Sequence, residues 1–394
     1  MGEKKSAEQS VKYHLVDILF IIFLVVSSLQ FVQLSFLRIS QVYTMVALLF
    51  FLTKKYRVAD TRFLLIHCSF LLWALVVTLF AGYEKFKVFE QVIKFGVLYP
   101  ASYLLGLVFA RFFIKQNHFP IGWKFVVGFL CFQVLCQKLS LPIIFQDVSF
   151  QRDALHGTFR ERNWLAFFFF FISSTVFLAG RRDGRDAVIF VGVILAVTLL
   201  SGSKVMMLCS MLIVFFAAKI NWTLKPIAVG VGIIATVYIF SSQLDQSALE
   251  ARLENERGAS LTAAIELILA EPIGHGFGYV EYYFSSEFPY SIQGLGEGTN
   301  AVFSTPLDLI IIAGPVGFLY WAFIFCGARD GRGLTILSIA AWSLLNPLHQ
   351  ADLTYFALAF LSQFSAFGQS KMPPWRLRPS TKINSNQPAK EWRE

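Results

Sequence analysis

Three stretches of the chain combine side chains able to hold an anion with backbone able to approach one. In the first, Arg152 is followed by Gly157, Arg160, Arg162 and Asn163, and the chain then runs straight into apolar Trp164-Leu165-Ala166. Arginine forks and the unpaired N–H groups of a helix start both favour phosphate oxygens. The same residues would also serve to anchor a helix end at a membrane surface. The second stretch, Leu200-Ser201-Gly202-Ser203-Lys204, is a tight turn with a cation at its apex. That lysine either meets an anion or snorkels to the interface. The third is Pro272-Ile273-Gly274-His275-Gly276-Phe277-Gly278, where alternating glycines let the backbone bend sharply and come close to a ligand. His275 is a candidate substrate contact there, whereas His67, inside an apolar run, reads as a core residue.

No metal centre is spelled out. The six His never fall at i, i+3 or i, i+4, the five Cys lie singly within apolar runs, and no phosphate-binding P-loop is present. Neither a metal nor another cofactor is expected.

The elements that must position these residues are membrane helices. Of 394 residues, 56% are hydrophobic and only 15% charged, with a mean hydropathy of +0.60; soluble domains carry roughly 25% charge. Lipid must therefore be the solvent for most of the chain, which excludes a cytosolic enzyme, a disulfide scaffold and a nucleic-acid-binding domain. Apolar runs give twelve candidate spans, at 15–35, 41–53, 63–82, 91–110, 119–137, 163–179, 187–201, 204–218, 224–242, 303–326, 333–347 and 352–368. The first run is too long for a signal peptide and reads as a retained span. Residues 187–218 are too long for one span and basic at both ends, so they are read as a helical hairpin turning at Ser201-Gly202-Ser203.

With the N-terminus inside, about two thirds of the 34 Lys and Arg fall on the cytoplasmic side. The net charge of +9 thus expresses topology and attraction to the inner leaflet, with no nucleic-acid partner. Arg152, Lys204, Arg252 and Arg257 fall outside, where orientation does not call for them. The organisation expected is a cytoplasmic tail (1–14), helices one to nine (15–242), an outside loop (243–302), helices ten to twelve (303–368) and a disordered, basic cytoplasmic tail (369–394). In the outside loop, Leu249, Leu253, Leu261, Ile265, Ile268 and Leu269 fall at helical spacing, predicting amphipathic helices, broken near Gly258, on the membrane boundary. A polar stretch with Glu297, Thr299 and Asn300 then leads into a span carrying Asp308, an acid that must face a cavity or a partner.

In this order, the fragments resemble the O-antigen ligase/polymerase superfamily of bacterial membrane glycosyltransferases. The matching stretches are Arg152 with Gly157-Thr158-Phe159 and Asn163, Ser201-Gly202-Ser203-Lys204, Arg252 or Arg257, Pro272 with Gly274, Gly276 and Gly278, and Asn300 leading to Gly314-Pro315-Val316-Gly317. The resemblance implies an all-α polytopic membrane protein of about twelve transmembrane helices, C-type glycosyltransferase-like, with a large periplasmic loop. It further implies a multi-pass bacterial inner-membrane protein with both termini cytoplasmic. The implied activity is metal-independent polymerisation of undecaprenyl-diphosphate-linked oligosaccharide repeats into exopolysaccharide, capsule or O-antigen at the periplasmic face. Lipid, and a chain-length regulator or export proteins, would be its partners. Arg152, Lys204, Arg252 and Arg257 would bind the diphosphate, with Gly157, Asn163, Gly274, Gly276, Gly278, Thr299 and Asn300 shaping the pocket. The turn arginine of the family is Lys204 here, and the ligases' loop histidine aligns with Thr299, a poor base. That favours a polymerase over a ligase acting on lipid A–core, with Glu297, His275 or Glu281 as the candidate base. A flippase of lipid-linked glycans is the alternative of another class; it would need coupling carboxylates near the midplane.

Overall fold

A computed structural model describes residues 2–30, 32–34, 37–53, 60–81, 88–116, 119–141, 155–159, 162–180, 182–221, 256–286, 302–325 and 333–367, with parts of 223–234. Of residues 2–14, 33–34, 116, 256–257, 333–337 and 364–367 it describes the backbone alone. The described chain is helical apart from one small ladder. The helices are α1 (Gly2–Ser28), α2 (Ile39–Thr53), α3 (Thr61–Phe80), α4 (Val88–Ile93), α5 (Tyr99–Gln116), α6 (Trp123–Lys138), α7 (Arg162–Ala179), α8 (Gly184–Ser201), α9 (Lys204–Ala217), α10 (Glu256–Ala270), α11 (Tyr279–Ser286), α12 (Thr305–Phe325), α13 (Gly333–Leu344) and α14 (Asp352–Phe367). Strands β1 (Gln33–Leu34) and β2 (Leu37–Arg38) pair antiparallel between α1 and α2.

Among the described residues, five helical stretches are long and apolar enough to cross a membrane: Thr61–Phe80, Val88–Lys115, Arg162–Ala179, Gly184–Ser201 and Thr305–Phe325. The outer faces of α3 and α8 leave Leu65, Leu72, Leu79, Val188, Ile189 and Leu199 exposed, as a lipid-facing surface would. The described chain is mostly helical, as an all-α membrane protein would be.

Phenylalanine makes the core. Phe20 and Phe23 of α1, Phe109 and Phe113 of α5, Phe171 of α7 and Phe356 and Phe360 of α14 interlock, for example edge-to-face at 5.0 Å between Phe20 and Phe113. Such pairs add about 0.5–1.5 kcal/mol beyond burial. Small residues bring the backbones together: a Cβ on Gly106 of α5 would lie 2.5 Å from the Phe356 carbonyl of α14.

The 187–218 run is a helix–turn–helix. Gly202 closes α8 at φ 68 and donates its N–H to Thr198 O at 2.8 Å, a left-handed cap that suits glycine. At the opposite, basic end the Lys219 N–H donates to Arg182 O at 2.6 Å, drawing the two ends of the hairpin together.

Several boundaries differ from expectation. The first helix stops at Ser28 rather than 35, and Gln33 and Leu34 instead form strand β1. Gly258 itself lies within α10, which runs from Glu256 to Ala270, and the stretch from Leu249 to Asn255 lies outside the described residues. The buried face of α10 is Ser260, Ala263, Ala264 and Leu267, packed near α12, while Ile265 and Leu269 are exposed. Close approach to α12 selects small residues over the larger apolar ones. The 224–242 span lies mostly, and the 369–394 tail wholly, outside the described residues.

Candidate functional site

The glycine loop between α10 and α11 is seated in a broken helix. Within α12, Ala313 (φ −137) and Gly314 (φ 55) leave helical geometry just before Pro315, which has no N–H to give Ile311 O. Three consecutive carbonyls at the break accept from outside the helix instead. His275 N–H donates to Ile311 O at 2.7 Å, Gly276 N–H to Ile312 O at 2.9 Å, and Trp73 Nε1–H to Ala313 O at 3.1 Å. The fit tolerates no side chain: a Cβ on Gly274 would stand 2.7 Å from the Gly314 nitrogen, and one on Gly276 2.7 Å from Thr78. Beyond it, Phe277 N–H donates to Thr78 Oγ1 at 2.8 Å and Gly278 N–H to Gln91 Oε1 at 2.9 Å. Gly274, Gly276 and Gly278 thus weld α3, α4, α11 and α12 together through their backbone.

This weld gathers charge. The Gln91 side chain that holds Gly278 also donates through Nε2 to Glu281 Oε2 at 2.5 Å. Glu281 is part-buried on α11. Its pKa lies above the usual carboxylate range because burial penalises its charge and the nearby Asp308 charge repels it, against the Gln91 bond and the Lys94 charge. Asp308, wholly buried in the first turn of α12, meets His349 Nε2 at 2.9 Å and accepts from Gln350 Nε2 at 3.3 Å. It thus faces a partner, as an acid in a span must. Thr305 fixes this junction, donating to Asn346 O at 2.8 Å and accepting from Leu348 N–H at 2.9 Å.

Lys94 lies at the start of a π-helical turn, Lys94–Leu98, between α4 and α5. Such turns recur at functional sites because the wider spiral redirects side chains. Lys94 pairs with Glu90 and lies within electrostatic range of Glu281 and of Arg38, at the end of β2. The ladder and the Arg38 N–H bond to Gln41 Oε1 at 2.9 Å fix the arginine's backbone. Cations Arg38 and Lys94, carboxylates Glu90, Glu281 and Asp308, and His349 therefore share one end of the bundle. Positive charge there can hold an anion, and a carboxyl of raised pKa can exchange a proton with a hydroxyl.

A second polar group lies where α7 and α9 begin. The Arg162 guanidinium lies against Gly202, 3.4 Å from where a Cβ would stand, and Lys204 opens α9 beside it, part-buried. Asn163 follows in the first turn of α7, and Gly157 (φ 58) donates its N–H to Gln137 Oε1 at 3.0 Å.

Of the candidate bases, Glu281 joins the charged cluster. His275 does not: its ring stacks on Tyr279 (3.9 Å, 7°) and its Nε2 lies 3.1 Å from Leu267 O. Burial lowers its pKa, against the Leu267 carbonyl and the Glu271 charge. Arg152, Arg252, Glu297, Thr299 and Asn300 lie outside the described residues, and Arg257 is placed on α10 by its backbone only. His67 is a core residue, its Nδ1 2.7 Å from the Tyr320 hydroxyl and its Nε2 2.5 Å from Phe95 O.

Arg38, Lys94, Gln91 and His349 are new to the site. A signal existed for two of them. Lys94 and Glu90 stand four apart at the mouth of an apolar run, and His349 sits in a short break between two others, where an ionisable group needs a partner. Compared with protein-family models, with curated proteins and with solved structures, the chain matches none.

Proposed function

We propose that the chain joins undecaprenyl-diphosphate-linked oligosaccharide repeats into a surface polysaccharide, on the outer face of the bacterial inner membrane. The observation that supports this reading most is Glu281, a carboxyl of raised pKa, within electrostatic range of Lys94 at the bundle end that the charge distribution assigns to the outside. In the reaction, an acceptor hydroxyl oxygen attacks the anomeric carbon of the donor sugar. The carbon–oxygen bond to the diphosphate breaks, the hydroxyl proton passes to the Glu281 carboxylate, and the bonding pair leaves on the diphosphate. No acid is needed for so stable a leaving group; what it needs is fixed positive charge. Two unit charges at about 4 Å attract by on the order of 4 kcal/mol at an effective dielectric near 20. Lys94 and Arg38 would supply that charge, and Arg162 and Lys204 at the Ser201–Lys204 turn, with Arg152, Arg252 and Arg257 of the outside loops, are the further candidates.

One observation favours a second reading, a carrier of lipid-linked glycans. The closed Asp308–His349 pair is a buried acid–imidazole contact of the kind a proton-coupled carrier uses, although it lies at one end of the bundle and not at the midplane where coupling carboxylates are expected. The experiment that separates them places Lys94→Ala and Glu281→Gln in cells and follows lipid-linked intermediates. A polymerase predicts loss of long polymer with single repeats stranded on the outer leaflet. Repeats stranded on the inner leaflet would select the carrier, and normal polymer from both variants would reject the assignment.

A further inference from the structure

An open cleft of about 670 Å3 lies between the last turn of α3 and the glycine loop, within the ~300–1,000 Å3 range of small-molecule pockets. Trp73, Phe80, Tyr279 and Tyr282 give it four aromatic walls, and Glu271 and His275 add polar ones. Two of these rings are held in place by contacts of their own. Trp73 is fixed by its bond to Ala313 O, and His275 by stacking on Tyr279 and by Leu267 O. Tyr279 and Tyr282, three apart on one helical face, lie with ring centres 6.1 Å apart.

We infer that this cleft holds sugar rings of the growing lipid-linked glycan, beyond the ring that reacts; the inference rests on the transfer reading above. A pyranose presents apolar C–H groups on its faces and hydroxyls around its edge. The C–H faces complement the electron-rich faces of aromatic rings. The hydroxyls need strong acceptors, which the Glu271 carboxylate and the tyrosine oxygens supply. A hydrocarbon tail would instead strip water from Glu271 and His275 and give nothing back. A phosphate would meet the Glu271 charge with its own. Position points the same way. Tyr279 and Tyr282 share α11 with Glu281, whose carboxyl turns to Gln91, so one short helix carries the proposed proton acceptor and part of the cleft wall.

The test uses Phe80→Ala combined with Tyr282→Ala, and separately Glu271→Gln, in full-length protein in a strain whose polymer depends on it. Phe80 is 87% exposed, so its truncation spares the fold. Polymer persists in the double variant but its modal length falls about three-fold, and Glu271→Gln shortens it in the same direction. Wild-type length in both variants overturns the proposal. So does loss of every linkage, which would put these rings at the reacting centre or in the fold. Normal length with loss of co-purifying lipid on native mass spectrometry also overturns it, giving the cleft to a lipid chain. Lys94→Ala and Glu281→Gln run alongside: intact polymer from those two sinks the transfer reading, whereas intact length from the cleft variants sinks only the cleft.

Discussion

Asp308 and His349 face each other across 2.9 Å, carboxylate to imidazole, with both side chains closed off from solvent. They come from the first turn of α12 and the short 3-10 turn at Leu348–Gln350 before α14, so their contact locks two helix starts together. His349→Ala would leave the buried Asp308 carboxylate without its facing imidazole, a loss of about 3 kcal/mol. Adding Asp308→Asn removes the stranded charge, so the double variant is destabilised by less than the two single losses summed. Thermal unfolding of the four proteins in detergent completes the cycle.

Glu281 gives the site a pH signature. Its pKa is raised above an ordinary value near 4.5, so the folded state binds the proton more tightly than the unfolded chain. That stability is fully present below the unfolded pKa and is lost as pH rises through the folded one. Glu281→Gln, neutral throughout, flattens this fall in a thermal-unfolding series. The proposed transfer, in which the Glu281 carboxylate would take the proton, is expected to rise with pH along a limb set by the same raised pKa. Asp308→Asn removes a repelling charge and moves that limb to lower pH.

The glycine weld separates close approach from mere flexibility. Gly314→Ala places a Cβ 2.4 Å from Pro272 O at φ 55, and Gly276→Ala places one 2.7 Å from Thr78. Each costs at least about 2 kcal/mol and loosens the cluster. Nothing lies within 4 Å of a Cβ at Gly128 or Gly192, both inside helices, so alanine there is neutral or gains up to about 1 kcal/mol. Melting temperatures of the four variants decide the matter.

Much of the architecture was legible because its cues are local. The Ser201-Gly202-Ser203 turn follows from a glycine able to take φ 68, and α8 begins where Asp183 caps it by accepting from Asp186 N–H. The α12 break was not legible as a docking site, because the donors that fill it belong to a loop remote in sequence. For the same reason the glycines read as a ligand approach, although the neighbours they admit are Thr78, Ile312 and Gly314. The charged cluster joins β2, α4, α11, α12 and the turn before α14, and no periodicity links Arg38 or Lys94 to Asp308 and His349. Glu281 was recognised as a candidate base, but its neighbours exist only in the fold.

Sidedness has its own test. Leu269 on α10 is 74% exposed, and Arg185 in the first turn of α8 is exposed at the basic end. With the native cysteines replaced, a membrane-impermeant maleimide added to intact cells labels Leu269→Cys and spares Arg185→Cys. The reverse pattern would place the charged cluster in the cytoplasm, away from its proposed substrate.

The central claim is tested most directly with purified protein and lipid-linked repeat units, counting undecaprenyl diphosphate released against glycosidic bonds formed. The account predicts one lipid diphosphate per new bond, and a rate reduced about 100-fold or more by Glu281→Gln, the usual worth of a positioned base. Movement of intact lipid-linked units across the bilayer with no diphosphate released, or an unchanged rate in that variant, would contradict it.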